Sequence, residues 1–309
     1  MNHSEFCEGL SKEVAAEVQE NIGLAPFTGF QVGGPADLLA QVSTVASVQE
    51  LVKRAKECSI PLTVLGRGHN VLISDRGIRG LTLVVRDPLN GFRLEGENIS
   101  AGAGTALFQL AAFAARNSLS GAEFLCGIPG TLGGAVRMNA GAYDGAMEQI
   151  VESVEYVDLD GNLQHLEANE LDFSYRHSFF SDHAGIVTGV AFRLQNAELE
   201  SIYRKMAEVQ SKRRKSQPLE ALSAGSTFKR PEGHFAGKLI SDAGLKGWNQ
   251  GAVGVSAKHA GFVLNHGQAT ATELRDFILL LREKVFDFSG VRLEPEIRLV
   301  GDWEGERWN

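Results

Sequence analysis

Three short stretches place polar side chains where a packing pattern would not. In FSYRHS, residues 173–178, Arg176 stands among aromatic residues. A guanidinium beside rings can clamp a carboxylate through two parallel hydrogen bonds. An ordinary surface arginine stacked on Tyr175 has the same sequence. In AGSTFK, residues 224–229, Ser226 and Lys229 follow a glycine, a pattern shared with a serine that caps a turn. In LEPEIR, residues 293–298, Glu294 and Glu296 share one face of a strand, because strand side chains alternate. An exposed acidic edge strand, which Pro295 also suits, reads the same way.

Two glycine-rich turns accompany them. GIPGTLGGAVRMNAG, residues 127–141, holds Gly127, Gly130, Gly133, Gly134 and Gly141, with Pro129 in its first turn. With side chains nearly absent, something large can lie against bare backbone. Gly130 to Val136 can open a short helix whose free N–H groups face an anion. A tight connection between close-packed elements needs the same glycines. The stretch is neither the dinucleotide fingerprint GxGxxG nor a P-loop, since it lacks the Lys-Ser/Thr pair. Upstream, in GRGHN at residues 66–70, Gly66 and Gly68 flank Arg67, a cation placed for a diphosphate. A hairpin turn with a solvated arginine is the alternative.

Other chemistries find no support. The eight histidines show no HxxxH or HxH pair and none is spaced with a cysteine, so no metal site is expected. No GxSxG elbow is present, which removes the usual acyl-transfer signature. A net charge of −8 argues against a nucleic-acid partner. Three unpaired cysteines, Cys7, Cys58 and Cys126, point to a reducing compartment. The polar, acidic N-terminus is not a signal peptide, and no apolar run is long enough to span a bilayer. A cytoplasmic protein without a membrane partner is expected. No surface signal calls for an oligomer, so a monomer is the default.

The elements that must position these residues follow from periodicity. Residues 11–20 read as a helix, and Ala36 to Val42 as a strand. Ser47 is expected to cap a helix to about Cys58, with Val48, Leu51, Val52 and Ala55 on its core face. Strands LTVL and NVLIS bracket GRGHN. Thr105 is expected to cap an Ala-rich helix to about Asn117. Residues 150–167 read as a hairpin turning at Asp160-Gly161, and 185–194 as a strand. A helix from about Ala197 puts Leu199, Ile202, Tyr203, Met206 and Val209 in register and ends in Lys212, Arg213, Arg214 and Lys215. Such a run either complements the helix dipole in solvent or meets an anionic ligand. Thr270 and Glu273 form a capping box for a helix burying Leu274, Phe277, Ile278, Leu281 and Val285.

GRGHN, GIPGTLGGAVRMNAGAYD, FSYRHS, AGSTFKRPEGHFAGKLI, GFVLNHGQATATEL and LEPEIRLVG, in this order and spacing, closely resemble the UDP-N-acetylenolpyruvoylglucosamine reductases. The resemblance spans roughly residues 25–300. It implies an α+β fold. Residues 1–200 would form an FAD-binding domain of the vanillyl-alcohol-oxidase type, with two subdomains split near 75–80. Residues 201–309 would form a C-terminal α+β domain that closes over the substrate. It further implies that NADPH reduces FAD, and that the enolpyruvyl ether of a UDP-sugar is then reduced to UDP-N-acetylmuramate for peptidoglycan synthesis.

Residue by residue, the resemblance puts the FAD diphosphate against Gly66, Arg67, Gly68, His69 and Asn70. It puts the isoalloxazine and further phosphate contacts along Gly127, Ile128, Pro129, Gly130, Thr131, Gly133 and Gly134. Arg176, Ser226 and Glu296 fall on the catalytic positions. Tyr175, Lys215, Lys229 and Arg230 fall near the positions that hold the sugar nucleotide. Two departures stand out. His69 replaces the usual small serine, and non-covalent FAD is still expected. The segment from Arg176 to Ile186 is short, as in the branch that lacks an extra tyrosine-bearing loop.

Overall fold

Alternating and 3.6-period apolar patterns build two separate cores. The computed structural model describes residues 3–86, 89, 91–305 and 307–308. The chain forms two compact units. The first takes residues 1–20, 38–67 and 80–212, the second residues 21–37, 68–79 and 213–309.

In the first unit a five-stranded antiparallel sheet runs in the order Leu163–Glu167, Val151–Val157, Ile186–Arg193, Asn98–Gly102, Phe92–Glu95. Its middle strand is apolar almost throughout, IVTGVAFR, and is buried along most of its length, as a strand covered on both faces must be. The Leu163–Glu167 strand at the edge is largely exposed. The expected hairpin is present. Gly161 turns it at φ +78, and the Asp158 carboxylate accepts from the N–H groups of Asp160 and Asn162, both at 2.9 Å. A second sheet includes the parallel pair Leu62–Leu65 and Leu81–Val84. Two helices cover this unit's core. Val45–Glu57 buries Val48, Leu51, Val52 and Ala55, and Leu107–Arg116 buries Leu107, Leu110, Ala111 and Ala114. Each fully buried Leu or Val is worth about 1.5–3 kcal/mol.

Three local expectations are corrected. The first long helix is capped by Thr44, whose side chain accepts from Ser47 N–H, so Ser47 sits one turn inside. The second starts after Ala106 rather than Thr105, and Gln109 Oε1 accepts the Ala106 N–H at 3.0 Å. The 11–20 helix stops at Glu17, and Val18–Gly23 is a strand.

In the second unit, Asn249–Gln250, Val253–Val255 and Val263–Asn265 form a small antiparallel sheet. Val71–Ile73 pairs in parallel with Arg298–Val300. The helix Ala271–Ser289 packs Leu274, Phe277, Ile278, Leu281 and Val285 into this unit's own core. The Thr270–Glu273 capping box is formed. Asp75 adds a second cap, accepting from Ala271 N–H and Thr272 N–H, both at 2.8 Å. Gly290, at φ +69, ends the helix in the left-handed conformation that glycine adopts without penalty.

Among the described residues, no helix is long and apolar enough to cross a membrane. Also among the described residues, no group of three or more His, Cys, Asp or Glu side chains is placed to hold a metal ion.

Candidate active site

In the first unit, Gly66 leaves the strand Leu62–Leu65 and lies against Thr131. A Cβ on Gly66 would sit 2.4 Å from Thr131 Oγ1, so the turn needs glycine for this approach. Thr131 is itself bridged to Ala106, and Leu107 N–H donates to Gly130 O at 3.3 Å. Residues 66, 103–107 and 130–133 therefore meet.

The helix predicted at the glycine stretch forms over Leu132–Arg137. Its first N–H groups, however, do not await an anion. Leu132 N–H donates to Thr105 O at 3.0 Å and Gly133 N–H to Ala103 O at 2.9 Å. The expected anion cradle is corrected at Leu132 and Gly133: the loop after Asn98–Gly102 closes on them and supplies their acceptors. The glycines provide bare surface instead. At Gly130, φ is +137 and the nearest neighbour of an added Cβ is Leu107, 3.9 Å away; at Gly134 it is Thr131 Oγ1, 3.6 Å away.

Several buried polar atoms of this unit remain unmet among the described residues, two of them beside the glycine turns. Arg67 Nε and Thr105 Oγ1 are buried and without a hydrogen-bond partner. An unmet buried donor costs about 1–3 kcal/mol, so a ligand rich in acceptor oxygens is the natural complement. The glycine surface and these two donors fit a cofactor that joins a flat ring to a diphosphate, as FAD does. The unmet Thr105 hydroxyl was not foreseen, because a threonine before an Ala-rich helix reads as a cap. The signal that could have found it is the small-residue run AGAG just before it.

Arg176 occupies a two-residue turn. Ser174 N–H donates to His177 O at 3.2 Å and His177 N–H to Ser174 O at 3.1 Å, leaving Tyr175 and Arg176 at the tip. Arg176 has φ +58, a conformation that costs a non-glycine residue about 1–2 kcal/mol. Tyr175 is exposed, and the guanidinium lies 5.2 Å from its ring centroid. The turn is tied down from behind. Asn139 Nδ2 donates to Ser174 O at 3.0 Å, and Ser178 Oγ to Arg137 O at 2.9 Å.

His177 adds a titrating brace. Its Nε2 lies 2.9 Å from Asp182 Oδ2 and its Nδ1 3.1 Å from Asp172 O. The Asp182 hydrogen bond, followed by the Asp172 backbone bond, raises the His177 pKa above the ordinary histidine value. A raised folded pKa gives stability that is complete below about pH 6.5 and is lost as pH climbs through the folded value. The melting-temperature advantage of the native chain over His177→Gln is therefore expected to shrink as pH rises above about 6.5. An advantage that grows over that range would reverse the assignment.

In the second unit, Phe228 bridges Pro295 in antiparallel register. Lys229 N–H donates to Glu294 O and Glu296 N–H to Thr227 O, both at 2.8 Å. The bridge sets Ser226, exposed, beside the segment that carries Glu296, which is half-buried. Leu293, Pro295 and Ile297 are buried and Glu294 and Glu296 are not, so the two glutamates share the outer face; the expected strand is corrected to the single Phe228–Pro295 bridge, regular pairing starting only at Arg298. Asn70 Nδ2 donates to Glu296 O at 3.2 Å, and Lys229 Nζ pairs with Glu294 Oε1 at 2.5 Å. Gly68, at φ +62, passes so close to Phe27 O that an added Cβ would lie 2.1 Å from it. His69 packs its ring against Gly29, 3.2 Å from that residue's Cβ position. Asn70, Ser226, Lys229 and Glu296 are thus gathered in one place. Arg230 instead covers the Phe235 ring at 4.1 Å. Lys215 is exposed at the end of its helix, and the buried member of that basic run is Arg213.

Residues 36–167 match an FAD binding domain, and residues 217–300 match the C-terminal domain of UDP-N-acetylenolpyruvoylglucosamine reductase. The chain is 44% identical over 286 residues to the UDP-N-acetylenolpyruvoylglucosamine reductase of Pediococcus pentosaceus, covering 93% of this chain and 95% of that protein. It is 45% identical over 285 residues to that of Lactococcus lactis subsp. cremoris, covering 92% and 95%. The crystal structure of UDP-N-acetylenolpyruvylglucosamine reductase from Thermus caldophilus superposes with a TM-score of 0.77 at 38% identity, covering 90% of this chain and 97% of that one. The chain belongs to the UDP-N-acetylenolpyruvoylglucosamine reductase family. This member of the family is an FAD-dependent oxidoreductase with the α+β fold that its sequence implied. The FAD-domain match contains Gly66–Asn70 and Gly127–Gly134, and the C-terminal match contains Ser226, Lys229, Arg230 and Glu296. Arg176 and Lys215 fall outside both matches.

Proposed function

We propose that this reductase converts the enolpyruvyl ether of UDP-N-acetylglucosamine to UDP-N-acetylmuramate, with Arg176, Ser226 and Glu296 as its catalytic residues. Residues 1–200 carry the flavin and residues 201–309 the substrate domain. Gly66 to Asn70, with Arg67, hold the FAD diphosphate, while Gly127 to Gly134, with Ile128, Pro129 and Thr131, face the ring. The FAD is non-covalent and supplies two-electron chemistry between NADPH and the substrate double bond.

The protein's own residues manage charge and protons. The substrate double bond is conjugated to a carboxylate, so reduction at its terminal carbon drives negative charge into that carboxylate and gives an enediolate. Arg176 meets this charge with a fixed fork of donors, and Glu296 shares a proton with it. Stabilisation aimed at charge that appears only during reaction is what raises the rate. Ser226 Oγ–H then protonates the adjacent carbon, which is basic enough to accept from a weak acid. Tyr175, Lys215, Lys229 and Arg230 offer an aromatic face and cations to the sugar nucleotide. The protein works as a cytoplasmic monomer; three free thiols among its described residues fit a reducing compartment.

The observation that carries this reading is the bridge that seats Ser226 beside the Glu296 segment, with Glu296 N–H on Thr227 O at 2.8 Å. In the deciding experiment, purified yellow protein is bleached by NADPH under anaerobic conditions and regains its colour when the enolpyruvyl sugar nucleotide is added. Bleaching without recovery points to an oxidoreductase for another substrate. Protein unable to take up FAD would remove the reading altogether. Acid precipitation of the same sample is expected to leave the yellow colour in solution. Colour retained in the washed pellet would make His69 the first suspect for a covalent link.

A further inference from the structure

We infer that Asn139 is the positioning residue for Arg176, fixing the strained turn from which the guanidinium reaches the substrate carboxylate. The inference rests on the reading of Arg176 as the carboxylate clamp.

Asn139 lies just beyond the short helix Leu132–Arg137 and is 4% exposed. Its amide is used at both ends. The oxygen accepts from Glu148 N–H at 3.1 Å. The nitrogen donates to Glu148 Oε2 at 2.8 Å and to Ser174 O at 3.0 Å. Two of these bonds hold the Met147–Gln149 turn. The third alone points at the Arg176 hairpin, on the same carbonyl that accepts the His177 N–H. Two residues before Asn139, Arg137 grips the hairpin's other leg. Its carbonyl accepts from Ser178 Oγ, a fully buried hydroxyl, at 2.9 Å, and its guanidinium donates to Phe180 O. Residues 137 and 139 therefore hold both legs of the turn, on the chain that has just left the glycine surface.

Such a brace matters because the turn is poised against its own preference. Arg176 adopts φ +58, and two backbone hydrogen bonds close the turn. A turn of this kind relaxes if the Ser174 carbonyl is released, because the Ser174–His177 pairing that closes the turn then loosens and the arginine can leave the left-handed region. The guanidinium moves with it. A displacement near 1 Å at a charge-stabilising group costs on the order of 10²-fold in rate. Asn139 itself has φ +39, a conformation that asparagine tolerates better than most residues.

The test uses holoenzyme variants Asn139→Asp, Asn139→Gly and Arg176→Ala, with each Asn139 variant also combined with Arg176→Ala. Asn139→Asp keeps shape and acceptor but removes the donor to Ser174 O, and with it the donor to Glu148 Oε2. Asn139→Gly removes the side chain and suits the positive φ, so folding is protected. Anaerobic stopped flow is expected to show reoxidation by the enolpyruvyl substrate slowed by roughly 10–10²-fold in both single variants, with reduction by NADPH unchanged. In the Arg176→Ala background the same changes are expected to cost less than about twofold more, because the residue they position is gone. Independently of activity, amide hydrogen exchange at Ser174 and His177 is expected to quicken in both Asn139 variants. Losses that multiply in the double variants overturn the inference, since Asn139 would then act on something other than Arg176. Normal reoxidation in the Asn139 variants beside a crippled Arg176→Ala overturns it while sparing the clamp. A normal Arg176→Ala enzyme overturns both.

Discussion

Replacing Ser226 with alanine is expected to slow reoxidation of the reduced enzyme by the enolpyruvyl substrate by ~10²–10⁴-fold, the usual worth of a general acid, and to leave reduction by NADPH near normal. The local structure makes the change a clean one. Ser226 is exposed, whereas the residues that anchor its segment are its buried neighbours. Thr227 N–H donates to Gly261 O at 2.9 Å, Thr227 Oγ1 accepts from Val263 N–H at 3.0 Å, and Phe228 bridges Pro295. None of these contacts uses the Ser226 hydroxyl. Fold and FAD content should therefore persist. Substrate affinity should change little, because the lost interaction belongs to the transition state. The measurement is the pair of single-turnover rates. Equal loss in both halves means that Ser226 supports the architecture of the site. An unchanged reoxidation rate moves the proton donor to Lys229 or to a bound water.

The sequence carried the elements whose cause is local. The helix Ala271–Ser289 could be read from its 3.6-residue period and from Thr270 and Glu273, because a capping box and an apolar stripe are written within a few residues. What it hid is what distant segments do to one another. The helix start at Leu132 looked like an open anion site because no local pattern shows that Ala103 and Thr105 fill it. Asp75 caps a helix that begins 196 residues later. The strand Val18–Gly23 interrupts a helical pattern, since strand pairing overrides weak propensity. Along Leu199–Ser216, Ile202 and Met206 are buried while Leu199 and Tyr203 stay exposed. A helix with a narrow contact leaves part of its apolar stripe in solvent, and periodicity alone does not give the width. The same limit applies to Lys212–Lys215. A charge run reads as solvated, and the burial of Arg213 within it has no local signature.

The shared outer face of Glu294 and Glu296 was visible, because alternation along LEPEIR dictates which side chains share a side. The strain at Arg176 was not. FSYRHS shows an arginine among rings, and only the Ser174–His177 bridge reveals that this arginine sits where a turn ordinarily asks for glycine. Arg176 is one of nine non-glycine residues at positive φ among the described residues, so its backbone cost and the proposed role of its side chain call for separate tests.

One substitution at Arg176 separates backbone from side chain. Arg176→Gly is expected to keep or raise the melting temperature, because glycine removes a conformational cost of about 1–2 kcal/mol at φ +58. It is also expected to slow reoxidation by the enolpyruvyl substrate by about 10²–10³-fold or more, the loss seen when a donor to developing negative charge is removed. Reduction by NADPH places no charge on the substrate carboxylate and should continue at its normal rate. Arg176→Lys should fall between the two. It keeps the charge, loses the planar fork, and retains the strained backbone, so an intermediate rate with no gain in stability is the expected pair of readings. Melting curves and anaerobic single turnovers on the three proteins check all of this together. If Arg176→Gly melts higher yet reoxidises within tenfold of normal, the carboxylate charge is borne by another cation, with Lys229 and Arg230 next to be replaced. If it melts lower, the guanidinium holds the turn together through contacts of its own, and the strain is not the signature of a substrate clamp.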